Sequence, residues 1–196
     1  MSENELRFAQ DRLYYFPAQE VSVQNFDCSG IILDIGGGGK GIVGRLKGSQ
    51  VVAIDLSKEE LEGAPFGPLK VIMDAREMRF LDATFSAATS FYSLMYIQSF
   101  DHGRVLSEVF RVLIPGSRFF IWDAIIPHRL DEGRDVAVFP VTIDVNRDSV
   151  DAEYAVLWPK LILDLPYYEN LAQNVGFEAV TQREGERFFF LELLKS

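Results

Sequence analysis

Apolar residues recur along this chain in short runs, most of them closed by an acid or a glycine. Residues 31–35, 51–54, 71–73, 87–92 and 119–122 are such runs, and each reads as a strand buried on both faces. Helical spacing fills the gaps. Residues 41–46 follow the first run as helix. Ser57 caps a helix that carries Glu59 and Glu60 in its first turn. Between the fourth and fifth runs, Val105, Leu106, Val109, Phe110 and Leu113 give residues 102–113 a clear 3.6 period. Pro115 and Gly116 then supply a turn. At the front, Leu6, Phe8, Ala9, Leu13 and Phe16 predict an amphipathic helix over residues 3–16, ended by Pro17, so that residues 1–20 form a helical cap.

The last third changes character. Residues 136–145 and 150–158 read as two β arms around a turn at 146–149, a hairpin inserted within residues 127–160. Pro140 and Pro159 suggest edge strands there. A helix over residues 166–176 is opened by Pro166 and closed by Gly176. Residues 178–182 and 187–194 then form an antiparallel pair around Glu184 and Gly185. Strands alternating with helices indicate an α/β fold: a parallel sheet with helices on both faces, in three layers, closed by an antiparallel C-terminal strand. No linker or repeat interrupts residues 1–196, which read as one domain. Such sheets bind ligands outside the carboxyl ends of their strands, where this chain carries Asp34, Asp55, Asp74 and Asp123.

Composition narrows the partners. A formal net charge of -10 argues against nucleic acid or an anionic membrane held on a basic face. The single cysteine, Cys28, cannot form an internal disulfide and suits a reducing cytoplasm. MSENELRF at the start has no apolar signal core, and the apolar runs are too short to span a bilayer. A cytoplasmic location and no membrane are therefore expected, and no metal is called for.

The candidate chemistry lies in ILDIGGGGKG, residues 32–41, which ends in Gly41. Glycine after an apolar strand marks a sharp turn or a close approach to a ligand. A phosphate-gripping P-loop needs Gly-Lys followed by Ser or Thr, and here Lys40 is followed by Gly41 and Ile42. A dinucleotide fingerprint matches at Gly36, Gly38 and Gly41 with Asp55 near the ribose position, as nearly any glycine run this rich would.

A third reading spans most of the chain. LDIGGGG resembles the first motif of class I S-adenosylmethionine-dependent methyltransferases, an acid two residues before a glycine loop. VVAIDLSKEEL, KVIMDAREMRF, FSAATSFYSLMYI, VLSEVFRVLIPGSRFFIWD and LAQNVGFEAV resemble that family's later segments, in order, through residue 180. The resemblance implies a Rossmann-like fold with S-adenosylmethionine as cofactor. By position it implies that Asp34, Gly36, Gly37, Gly38, Asp55, Leu56, Asp74, Ala75 and Phe91 bind it. Asp34 would take the cationic amino group, Asp55 the ribose hydroxyls, Asp74 and the Ala75 backbone the adenine, and Phe91 would lie near the methionine portion. Glycine would permit close backbone approach, and the helix N-terminus would offer N–H groups to the ligand carboxylate. The chain departs from the pattern at Lys40, where a third glycine usually sits, at Ser86 and at Ser117.

The resemblance further implies in-line methyl transfer to a small-molecule acceptor, in which alignment is the protein's main work. His128 and Tyr96 are the candidates for substrate contact, against a solvent-facing loop and plain packing. His102 reads as a surface residue at a helix start, and Asp123 as a strand terminator. The hairpin, with Arg134, Arg147, Tyr154 and Trp158, either roofs the substrate site or joins two copies as a homodimer. Two other functions stay open: a catalytically silent S-adenosylmethionine-binding module, and an NAD(P)-dependent oxidoreductase.

Overall fold

In the computed structural model, which describes residues 8–196, a 3-10 turn (Gln10–Arg12) leads into two short strands, β1 (Leu13–Tyr15) and β2 (Gln19–Val23). This corrects the helix expected over residues 3–16 and the helical cap over 1–20 as far as they are described; residues 1–7 lie outside the described part. The aromatic cluster Tyr14, Tyr15, Phe16 is at home in a strand, and a neighbouring strand claims it. In β2, Gln19, Val21 and Val23 are buried while Glu20 and Ser22 are exposed, the period of two that helical spacing concealed.

The expected parallel sheet follows. β3 (Ile32–Ile35) leads to α1 (Ile42–Lys47), β4 (Val51–Asp55), α2 (Lys58–Gly63) and β5 (Leu69–Ile72). Ser57 caps α2 as predicted, its hydroxyl accepting the Glu60 N–H at 3.2 Å. Next come β6 (Phe85–Phe91), α3 (His102–Val112) and β7 (Leu113–Ala124). The turn expected at Pro115-Gly116 is instead a bulge within β7. Its register against β6 jumps from Phe85 opposite Leu113 to Ala87 opposite Arg118, with Gly116 at φ 84°.

β8 (Val136–Val145) and β9 (Asp148–Leu157) form the predicted hairpin. α4 (Leu165–Val175) ends at Gly176, which takes the left-handed conformation. β10 (Phe177–Glu184) and β11 (Phe188–Lys195) close the chain as the predicted antiparallel pair. The larger sheet runs β10-β11-β7-β6-β3-β4-β5, parallel from β7 to β5, with β11 antiparallel to β7. The chain leaves β3 toward β4 and returns to β6 on its other side, so the switch point lies at the carboxyl ends of β3 and β6.

A second sheet holds β1 and β2, both parallel to β8, with β9 on the far side of β8. β8 is therefore central, and Pro140 is not on an edge strand. The Phe16 N–H bonds the Val138 carbonyl at 2.9 Å. Two residues further on, Pro140 faces the same side, in the gap between the β1 pairing at 136–138 and the β2 pairing at 141–145. Its missing donor falls where no partner strand runs. Pro159 lies just past the end of β9.

The layers differ from expectation in one respect. Phe119 and Phe120 point to opposite faces of β7. Phe119 lies 6.1 Å from Phe177, which meets Phe110 of α3 at 5.0 Å. Phe120 instead meets Phe26, just after β2, at 4.4 Å. One face thus carries α3, with α4 packed on it, and the small sheet contributes to the other. Val21, Val23, Val141, Ile143 and Val145 belong to the same buried cluster as Ile32, Leu33 and Ile121. No helix lies between β5 and β6. Among the described residues no helix is long and apolar enough to cross a membrane.

Candidate active site

The switch point is built around one buried acid. Asp34 on β3 sits opposite Ala53 of β4 and Thr89 of β6. That register lets the Thr89 hydroxyl donate to Asp34 Oδ1 at 2.7 Å. Only 2 % of Asp34 is exposed. Burial pushes its carboxyl up to about 7; the Thr89 hydroxyl opposes the rise, and the negative charge of Asp55 adds to it.

The glycine loop folds directly over this acid. A side chain at Gly37 would place its Cβ 2.7 Å from Asp34 Oδ2 and 2.8 Å from the Ala53 Cβ. At Gly38 it would meet the Glu60 Cβ at 2.6 Å and Asp55 Oδ2 at 2.9 Å. Gly36, at φ 67°, lies against the Ser93 hydroxyl. These three close approaches are what the glycines supply, and no other residue would fit. The N–H groups of Gly36, Gly37 and Gly39 are taken up within the chain. Gly36 and Gly37 both donate to the Ile54 carbonyl, at 2.8 and 3.1 Å, and Gly39 donates to the Glu60 carbonyl at 2.8 Å. Lys40 is exposed, and its carbonyl accepts Arg45 Nε at 2.8 Å.

Asp55 ends β4 with Oδ1 accepting the Ser57 N–H at 2.9 Å, while Oδ2 faces Gly38. The next residue, Leu56, is 64 % exposed. Asp74 is already engaged: Arg76 grips both its oxygens, at 3.0 Å through Nε and 2.7 Å through Nη2, and reaches Asp101 at 2.9 Å. That guanidinium holds the Asp74 carboxyl below the usual range. The half-buried Ala75 lies between these partners in sequence.

The fit to the implied cofactor is therefore uneven. Asp34 is a buried anion with only a hydroxyl beside it, which suits a cationic amino group. Asp55 offers a carboxylate beneath a glycine that leaves room. Asp74 has its oxygens committed to Arg76, so an adenine amine there would share them.

Beyond the loop, Phe91 ends β6 with its ring centroid 5.1 Å from Tyr92, 6.2 Å from Trp122 and 6.4 Å from Tyr154 of the hairpin. Tyr154 stacks on Tyr92 at 4.7 Å. Its hydroxyl lies within electrostatic reach of Tyr96, Asp123 and Glu60, and burial pushes its pKa well up. Trp158 packs on Tyr14 and Phe16 and donates to the Pro127 carbonyl at 2.8 Å. The hairpin aromatics thus turn inward. Tyr96 is half exposed on the turn after β6, and His128 is exposed in the loop after β7.

His102 is not a surface residue. It is fully buried at the start of α3, with Nε2 2.9 Å from the Leu94 carbonyl and Nδ1 3.0 Å from the Tyr167 hydroxyl. Burial lowers its pKa, so the ring is neutral, donating from Nε2 and accepting at Nδ1. Asp123 does more than end a strand. It is fully buried, its Oδ1 accepts the Ala124 N–H at 2.8 Å and its Oδ2 the Met95 N–H at 3.3 Å. Burial pushes its carboxyl up to about 7 against those amides. Sequence reasoning passed over Thr89, Ser93 and Glu60. Thr89 and Ser90 stand out only as polar residues inside the apolar run 87–92.

Residues 33–121 match a family model described as a methyltransferase domain. A sterol 4-C-methyltransferase of Caenorhabditis elegans is 40% identical over 62 residues, 32% of this chain and 18% of that protein. An O-methyltransferase of Penicillium expansum is 28% identical over 161 residues, 76% of this chain and 52% of that protein. The chain thus spans about half the length of one curated relative and under a fifth of the other. Among solved structures, a SAM-dependent methyltransferase of Methanosarcina mazei superposes with a TM-score of 0.56 at 18% identity, over 84% of this chain and 91% of that one.

Proposed function

We propose that this chain is a class I S-adenosylmethionine-dependent methyltransferase that transfers the methyl group of that cofactor to a small-molecule acceptor in the cytoplasm. The observation that carries the reading is the pair of carboxylates under the glycine loop. Asp34 is held by Thr89 at 2.7 Å beneath Gly37, and Asp55 faces Gly38. The cofactor supplies a methyl group already activated by a sulfonium. Asp34 neutralises the amino group, and Asp55 accepts from the ribose hydroxyls in charge-assisted bonds. Gly36, Gly37 and Gly38 bring backbone within reach, and Leu56, Asp74 and Ala75 border the adenine end. Phe91 and the inward-turned Tyr154 exclude water from the transfer site, with Tyr96 at its open side. His128, exposed on the loop after β7, would reach the acceptor only from that open side.

Calorimetric titration tests the reading. S-Adenosylhomocysteine is expected to bind with micromolar affinity, at least tenfold more weakly to Asp55→Ala. Binding of NAD in its place would overturn the assignment. Transfer of labelled methyl from S-adenosylmethionine into a small-metabolite extract separates an enzyme from a silent binding module.

A further inference from the structure

The turn that follows β6 is gripped from both ends. Residues 94–96 form a single 3-10 turn, closed by Tyr96 N–H to Ser93 O at 3.2 Å and Ile97 N–H to Leu94 O at 2.9 Å. Asp123 takes the amide end: Met95 donates to Oδ2 at 3.3 Å, and the N–H groups of Leu94 and Ser93 face the same carboxylate. His102 takes the carbonyl end, its Nε2 donating to Leu94 at 2.9 Å. His102 is fixed in turn by the Tyr167 hydroxyl of α4 at 3.0 Å. The turn enters through Tyr92, a non-glycine residue at φ 47°, a conformation that persists only where its surroundings over-determine it.

The turn also touches both halves of the site. Ser93 lies so close to Gly36 that a Cβ there would overlap its hydroxyl. Tyr96, three residues on, lies within electrostatic reach of the Tyr154 hydroxyl. We infer that Asp123 and His102 are positioning residues, which clamp the turn at 93–96 so that its Ser93 end walls the glycine loop and its Tyr96 end faces the acceptor. The inference rests on the methyltransferase reading for its ligand but not for its geometry. The tyrosine hydroxyls of Tyr92, Tyr154 and Tyr168 lie within electrostatic reach of Asp123. None of them is a hydrogen-bond partner of its carboxylate, which is left to the backbone amides.

A plain packing role and a positioning role separate in Asp123→Asn. At pH 8 the wild-type carboxylate is ionised while fully buried, which costs stability. The neutral isostere removes that cost but turns an amide N–H₂ toward donors. The melting temperature is therefore expected to hold or rise while affinity for S-adenosylhomocysteine falls at least fivefold. His102→Leu is expected to lose affinity similarly, and His102→Gln, which can still donate to Leu94, to stay within about threefold of wild type. Hydrogen exchange over residues 93–97 should accelerate in Asp123→Asn while the strands stay protected. Unchanged affinity and unchanged exchange in Asp123→Asn would overturn the clamp. If the wild type binds no S-adenosylhomocysteine, the methyltransferase reading falls, and equal exchange in the two proteins would then overturn the clamp by itself.

Discussion

Asp34 makes cofactor affinity depend on pH in a calculable way. Its carboxyl is pushed up to about 7 by burial, so near neutrality the empty site is a mixture of protonated and ionised forms. Only the ionised form attracts an ammonium group, and each such ligand bound draws the equilibrium toward it. Apparent affinity then scales with the ionised fraction, which is roughly one in eleven at pH 6 and ten in eleven at pH 8. That is about tenfold tighter binding, or about 1.4 kcal/mol, across the window. The sign is fixed: affinity rises with pH and levels off above 8. Binding at pH 7 should also release about half a proton. Calorimetry of S-adenosylhomocysteine in two buffers of different ionisation enthalpy reads both quantities. Thr89→Val removes the hydroxyl that favours the ionised form and should move the midpoint upward. Asp123 also titrates near 7, so Asp34→Asn is the control. A flat profile in the wild type, or a slope that survives Asp34→Asn, refutes the reasoning.

Two further perturbations test the packing that frames this acid. Gly38→Ala puts a Cβ 2.6 Å from the Glu60 Cβ and 2.9 Å from Asp55 Oδ2. The backbone must shift, and titration should show S-adenosylhomocysteine affinity lost by tenfold or more while the chain still melts cooperatively. Phe139 of the hairpin is fully buried and stacks on Phe16 at 4.8 Å, which joins β8 to the N-terminal segment. Phe139→Ala should cost about 3–5 kcal/mol in chemical denaturation, and a loss under 1 kcal/mol would show that the small sheet adds little to the core.

The parts of the fold legible in the sequence are those whose neighbours in space are also neighbours in pattern. The apolar runs around Asp34 and before Asp55 and Asp123 mark parallel strands because a strand buried on both faces needs no partner's sequence to declare itself. Ser57 and Gly176 work as punctuation in the same way, through local backbone chemistry. The N-terminal strands do not. β1 is three residues long and exists because β8, more than 120 positions later, offers Val136–Val138 as its partner, so residues 8–16 carry helical spacing without forming an α-helix. The site divides along the same line. Asp34 and the glycines are adjacent in sequence and could be read together. The hydroxyl that tunes Asp34 comes from β6, the wall against Gly36 from the turn after it, and the roof over Phe91 from β9. Each of those contributions is set by register between distant strands, which one chain's residue order does not display. His102 shows the consequence most plainly: its sequence context is that of an exposed helix start, yet α4 folds over it and Leu94 and Tyr167 take both its ring nitrogens. A residue that looked dispensable from its neighbours in the chain thereby becomes part of the frame that holds the site.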